Sequence, residues 1–181
     1  MISKKITAGV MITLAAFSLA ACQNSSKSSS TSSTPKTSQV KKTTLKASNL
    51  TAQQNASAIT YYAAQTYGGR WKKTWNAAKK DGLVISFRNR NAFSFIDKGK
   101  GYVYQAAPKR NSSKTYYTMK GANASERVYF YEGKSYLGTR SLKGIVKEIN
   151  QDKQVQQVKN LAKKTKISRE AIDSGADNNS K

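Results

Sequence analysis

The sequence predicts an α+β domain in which an antiparallel meander of five or six strands is flanked by N-terminal and C-terminal helices. Three observations carry this reading. The apolar period is 3.6 from Asn49 to Gly82, becomes 2 from Leu83 to Gly138, and returns to 3.6 from Leu142. Each short apolar run is bounded by Gly, Asn, Ser or Pro, the residues that turn a chain. Strands collected in one run, with helices before and after, favour an antiparallel sheet over a doubly wound parallel one.

The elements follow in order. Thr51 and Gln54 have the spacing of a capping box, Ala52, Ala56, Ile59 and Ala63 form a helical stripe, and Gly68-Gly69 stops that helix. A second helix presents Trp71, Trp75 and Ala78 as a core face, and ends at Lys79-Lys80 and Gly82. Leu83 to Phe87 alternates as a strand, Arg88-Asn89-Arg90-Asn91 turns, and Phe93 with Phe95 reads as a further short strand before Asp97 to Gly101. Tyr102–Ala106, Thr115–Lys120, Arg127–Tyr131 and Ser135–Gly138 complete the meander. Ser141 caps a helix through Leu142, Ile145, Val146 and Ile149, a second runs from about Lys153 to Lys164, and Ser168 caps a last turn from Ile167. No period of 20 to 50 residues occurs, so no repeat architecture is expected. Residues 49–173 form the domain, and 174–181 a frayed tail.

Upstream, Lys4 and Lys5 precede an apolar run from Ile6 to Ala21, and Leu19-Ala20-Ala21 leads into the only cysteine, Cys22. The run's 16 residues fall short of the roughly 20 needed to cross a bilayer core. The segment resembles a bacterial lipoprotein signal peptide with its lipobox. That resemblance implies cleavage after Ala21, so that 1–21 is the signal, and a diacylglycerol on the Cys22 sulfur. Stable anchoring takes two chains or more, which lipidation of this kind supplies. Residues 22–48 read as a disordered tether: of the 26 residues from Gln23 to Ser48, nine are Ser, five Thr and five Lys. Its root-mean-square reach is about 28 Å.

Composition excludes much chemistry. The chain carries 32 Lys+Arg against nine Asp+Glu, no His and one Cys. Without histidine there is no Ser-His-Asp or Cys-His nucleophile and no His-ligated zinc; one cysteine allows neither an internal disulfide nor a redox pair. No metal or cofactor is expected. Ser-x-x-Lys occurs only as Ser33–Lys36 and Ser38–Lys41, inside the tether, which holds no nucleophile in attack geometry. Gly99-Lys100-Gly101 is a hairpin turn, since no Gly-Lys-Ser/Thr run follows it. An enzyme would have to use carboxylates from Asp81, Asp97, Glu126, Glu132, Glu148, Asp152, Glu170 or the tail acids Asp173 and Asp177.

Charge and aromatics each allow a general and a binding reading. Two basic residues lie in the signal and five on the tether, leaving 25 against nine acids, or +16, on residues 49–181. One reading is general solubility and adsorption to an anionic wall; the other is a cationic site for a polyanion. For the second, the candidates are Arg88 and Arg90 in one turn, Lys98 and Lys100 in the next, and Lys109, Arg110 and Lys114 around Pro108. Tyr102 with Tyr104, and Tyr129 with Tyr131, each share a strand face and would form an aromatic platform for sugars, or else sit half-buried under helices. No RNA-binding motif, helix-turn-helix or zinc knuckle appears, so no evolved nucleic-acid site is expected.

The stretches Ala58-Ile59-Thr60-Tyr61-Tyr62, Tyr67-Gly68-Gly69-Arg70-Trp71, Ala77 to Leu83, Val128-Tyr129-Phe130-Tyr131 and Ser141-Leu142-Lys143 resemble a group of small surface lipoproteins of lactobacilli. The resemblance implies a Gram-positive, extracytoplasmic setting and carries no catalytic residue. The expected function is a lipid-anchored, non-enzymatic binding or structural module that contacts teichoic acid, anionic lipid or acidic host glycans. An envelope-processing enzyme using carboxylates and an accessory subunit of a membrane complex remain as alternatives.

Overall fold

Thr51 opens the first helix as expected: its hydroxyl accepts from the Gln54 N–H, and the Gln54 side chain accepts from the Thr51 N–H. Two otherwise orphan donors are thereby satisfied. Helix α1 spans Ala52–Tyr67, and α2 spans Gly69–Asp81. They are followed by β1 (Leu83–Arg88), β2 (Lys100–Pro108), β3 (Thr115–Lys120), β4 (Arg127–Glu132), β5 (Ser135–Ser141), α3 (Leu142–Gln151), α4 (Val155–Ala162) and β6 (Thr165–Arg169). This architecture comes from a computed structural model that describes residues 44–122 and 125–169. The expected signal peptide, Cys22, the expected tether up to residue 43 and the expected frayed tail lie outside the described residues. No described helix is long and apolar enough to cross a membrane.

The fold class holds: this is an α+β domain with a six-stranded sheet of order β5-β4-β3-β2-β1-β6. Four of the five pairings are antiparallel, and β1 with β6 is parallel. Two expectations are corrected. Phe93 and Phe95 form no strand; Asn89 caps a 3-10 turn at Arg90–Ala92, and Phe93 and Ile96 fold down onto the sheet as buried residues. Their apolar spacing reflects packing by a loop and not a ladder. Ile167 lies in a strand, not a helical turn, because the free edge of β1 accepts Thr165–Arg169 in register Leu83↔Thr165 and Ile85↔Ile167. β-Branched Thr165 and Ile167 suit that position.

Each sheet face has its own apolar cluster. Helices α1 to α4 cover one face with Ile59, Trp71, Trp75, Ile145, Ile149 and Val158 against Leu83, Ile85, Tyr117 and Phe130. Both tryptophans are core, as expected; the Trp71 indole N–H donates to the Tyr131 carbonyl at 3.2 Å. Under the second face, Phe93 and Ile96 of the β1–β2 loop meet Val103, Tyr116 and Tyr131. Packing begins before Asn49: Leu45 is buried, and the Asn150 amide holds it on both sides, accepting from Leu45 N at 2.9 Å and donating to Leu45 O at 3.0 Å. At the far end Thr165 Oγ1 donates to Leu161 O, so the buried Ser57 hydroxyl, 2.9 Å away, donates to Thr165.

Candidate functional site

Along α2 the residues that face the core are Trp71, Thr74, Trp75 and Ala78. Beside them Arg70, Lys73 and Ala77 recur at intervals of three and four, so they line one stripe of the same helix. Across from this stripe lies the loop between β2 and β3, and the two enclose a groove of about 570 Å³ that Gln105 and Tyr116 of the sheet also line. A chain of hydroxyls fixes the loop to the helix. Thr115 Oγ1 donates to the Ala106 carbonyl, so it accepts from Ser113 Oγ at 3.0 Å, and Ser113 in turn accepts from Thr74 Oγ1 at 2.8 Å. The Gln105 side-chain amide adds a bond to the Ser113 carbonyl at 2.6 Å.

Three cations line this groove: Arg70, Lys73 and Lys114. No acid lines it, and among the described residues none of the three is ion-paired. The neighbouring carboxylate, Glu132, accepts from the Arg70 backbone N–H and so serves the helix start. Hydroxyl and amide groups at Ser112, Ser113 and Asn111 complete the lining. Such a surface offers forked and point-charge donors to phosphate, sulfate or carboxylate, with a tyrosine ring at one wall.

Only Lys114 of the expected cationic residues contributes to the groove. The other six divide between two ends of the sheet. Arg88, Arg90, Lys98 and Lys100 sit where β1 ends and β2 begins; Lys109 and Arg110 follow Pro108 at the opposite end, where Lys109 N donates to Gly82 O. Several have structural duties. Arg90 Nη2 donates to the carbonyls of Ile96 and Lys98 at 2.9 and 3.0 Å, closing the loop on itself. The Arg88 guanidinium lies 5.9 Å from the Phe93 ring centre. Lys98 pairs with Asp97 at 2.7 Å, and this bond holds the Asp97 carboxyl below its usual range.

The four-tyrosine platform does not form. Cross-strand pairing of Phe87 with Tyr104, Tyr104 with Tyr117 and Tyr117 with Phe130 places these residues on the helix face. There Tyr104 stacks on Tyr117 at 4.8 Å, and Tyr102 on Phe87 at 5.9 Å. Tyr129 and Tyr131 belong to the opposite face, one residue out of phase with Phe130. Tyr131 is fully buried; its hydroxyl donates to Asp97 and accepts from the Lys98 N–H, a structural role.

The carboxylates are dispersed. Glu148 pairs with Arg140, Asp152 accepts from the Tyr61 hydroxyl at 3.3 Å, and Glu126 is raised above the usual carboxylate range by burial. None of them lines the groove. Among the described residues no three acid, His or Cys groups come together as metal ligands. Comparison with protein families, curated proteins and solved structures finds no match to this chain.

Proposed function

We propose that this protein is a lipid-anchored, extracytoplasmic binding module, and that the groove between α2 and the β2–β3 loop takes an anionic polymer of the cell envelope or an acidic glycan. The supporting observation is the convergence of Arg70, Lys73 and Lys114 on an acid-free groove walled by hydroxyls and Tyr116. A phosphodiester or sulfated chain supplies what those cations lack, and its sugar or polyol hydroxyls match Ser112, Ser113 and Asn111. The Cys22 lipid and the tether would hold the domain within the wall layer, the setting that the resemblance to small surface lipoproteins implies.

The test is binding of the full chain to purified teichoic acid, with the variant Arg70→Ala/Lys73→Ala/Lys114→Ala beside Arg88→Ala/Lys100→Ala/Lys109→Ala, which removes equal charge elsewhere. The reading expects the first variant to lose about tenfold or more in affinity, to show a shallower salt dependence, and the second to stay within about twofold. Equal losses in both variants overturn it in favour of general adsorption. A Cys22→Ser chain that stays with the membrane fraction and whose parent carries no acyl mass overturns the anchor.

A further inference from the structure

A second groove, of about 620 Å³, lies between the segment Thr44–Ala47 and the end and outer residues of α3. Its lining differs from the first: Leu45, Ala47 and Val146 make it largely apolar, and Lys143, Lys147 and Lys153 ring it. We propose that this groove seats the anionic phospholipid headgroups of the membrane surface, with their glycerol and upper acyl carbons over the apolar lining.

The charges argue for an amphiphilic anion. Lys143 and Lys147 are four apart on α3, an arrangement in which like charges repel and weaken a helix. Lys153 stands in the left-handed conformation, φ +57°, at the helix-terminating position usually given to glycine. None of the three is ion-paired among the described residues, and no acid lines the groove. The nearest carboxylates face elsewhere, Asp152 toward Tyr61 and Glu148 toward Arg140. Other occupants fit poorly. The 21 residues between Cys22 and Thr44 are rich in Lys and carry no acid, and a second copy of the domain brings the same +16, so both are repelled by a lysine ring. A soluble polyanion would leave the apolar lining wet, whereas a lipid covers it while its headgroup meets the lysines.

Position adds a second argument. Thr44, where the described chain begins, is itself part of the groove wall, and the Asn150 clamp on Leu45 fixes that wall to α3. The proposed tether therefore joins the fold at the edge of the groove, and a tether of this length has a root-mean-square reach of about 25 Å, so the groove adjoins the point that the anchor would keep within that distance of Cys22. This argument rests on the anchoring reading; the charge argument does not.

The test uses the full chain, reconstituted in phosphatidylglycerol vesicles and in phosphatidylcholine vesicles, with amide hydrogen exchange read along the sequence and the acyl mass on Cys22 measured separately. The expected result is exchange over 143–153 at least about fivefold slower with phosphatidylglycerol than with phosphatidylcholine. That difference should vanish in Lys143→Gln/Lys147→Gln/Lys153→Gln and persist in Lys109→Gln/Arg110→Gln/Lys120→Gln. Equal exchange in both lipids, loss in both variants, or protection that is already complete without vesicles each overturns the groove assignment. An unmodified Cys22 overturns the anchor alone and leaves the lipid comparison standing.

Discussion

The Glu132 carboxylate accepts a hydrogen bond from the backbone N–H of Arg70 at 2.8 Å, joining the end of β4 to the first turn of α2 across 62 residues of sequence. The helix has no local side-chain cap at Gly68, so this distant acid supplies both an acceptor and a negative charge at the positive end of the helix. The contact is close: a Cβ on Gly69 would come within 2.7 Å of a Glu132 oxygen, and Gly69 has φ +48°. The bond also occupies the acid nearest the cationic groove, leaving the Arg70 guanidinium without a carboxylate partner.

Glu132→Ala should lower stability by about 1 kcal/mol, as for loss of a helix cap, in denaturant unfolding. The same variant should bind an anionic polymer more tightly than the parent, because a negative charge beside the groove is gone. A variant that loses stability and also loses affinity would mean that the carboxylate positions the groove.

Arg90 closes the β1–β2 loop through two carbonyls, so Arg90→Ala should cost about 2–3 kcal/mol and open residues 89–99 to protease. Arg90→Lys should recover little, since both bonds come from Nη2 and the lysine nitrogen ends one bond short of the position from which Nη2 reaches the Ile96 and Lys98 carbonyls. Limited proteolysis and thermal unfolding read the two effects. Full recovery by lysine would show that charge, and not the reach of Nη2, holds the loop.

Tyrosine ionisation should unfold the domain in alkali. Burial, followed by the charge and hydrogen bond of Asp152, pushes Tyr61 up to about 12, and burial pushes Tyr67 and Tyr117 higher still. The folded chain keeps these protons while the unfolded chain releases them near 10, so stability is complete below about pH 10 and falls from there toward pH 12. Absorbance of tyrosinate should show a late group that titrates together with loss of circular dichroism. Three residues titrating independently below pH 11 would contradict this.

The helices and most of the meander were legible because their apolar periods are clean and their caps local. Thr51 with Gln54, Ser141 and Gly82 each act within a few residues of their place in sequence. β6 was hidden because five residues next to a helix give too little alternation, and its partner is β1, far back in the chain. Phe93 and Phe95 misled because burial under a loop produces the same alternation as a strand. Which tyrosines share a strand face is legible in the alternation, but strand-to-strand register decides which faces coincide, and the β2–β3 register shifts between Lys100 and Tyr104. Of the groove, Lys114 is legible as a loop cation, and the spacing of Arg70 and Lys73 beside the Trp71–Trp75 stripe marks a second helix face, but nothing local in the sequence pairs that face with the β2–β3 loop.

Strand β6 also has a meaning in time. Leu83 pairs with Thr165, 82 residues later, so the sheet's longest loop must close before β1 has both neighbours. A chain made from its N-terminus presents β1 with one bare edge until the last strand arrives, an interval in which β1 can pair with another molecule. Folding should therefore be paced by the capture of residues 165–169, and the buried Ser57–Thr165 bond is the latch that ends the exposure.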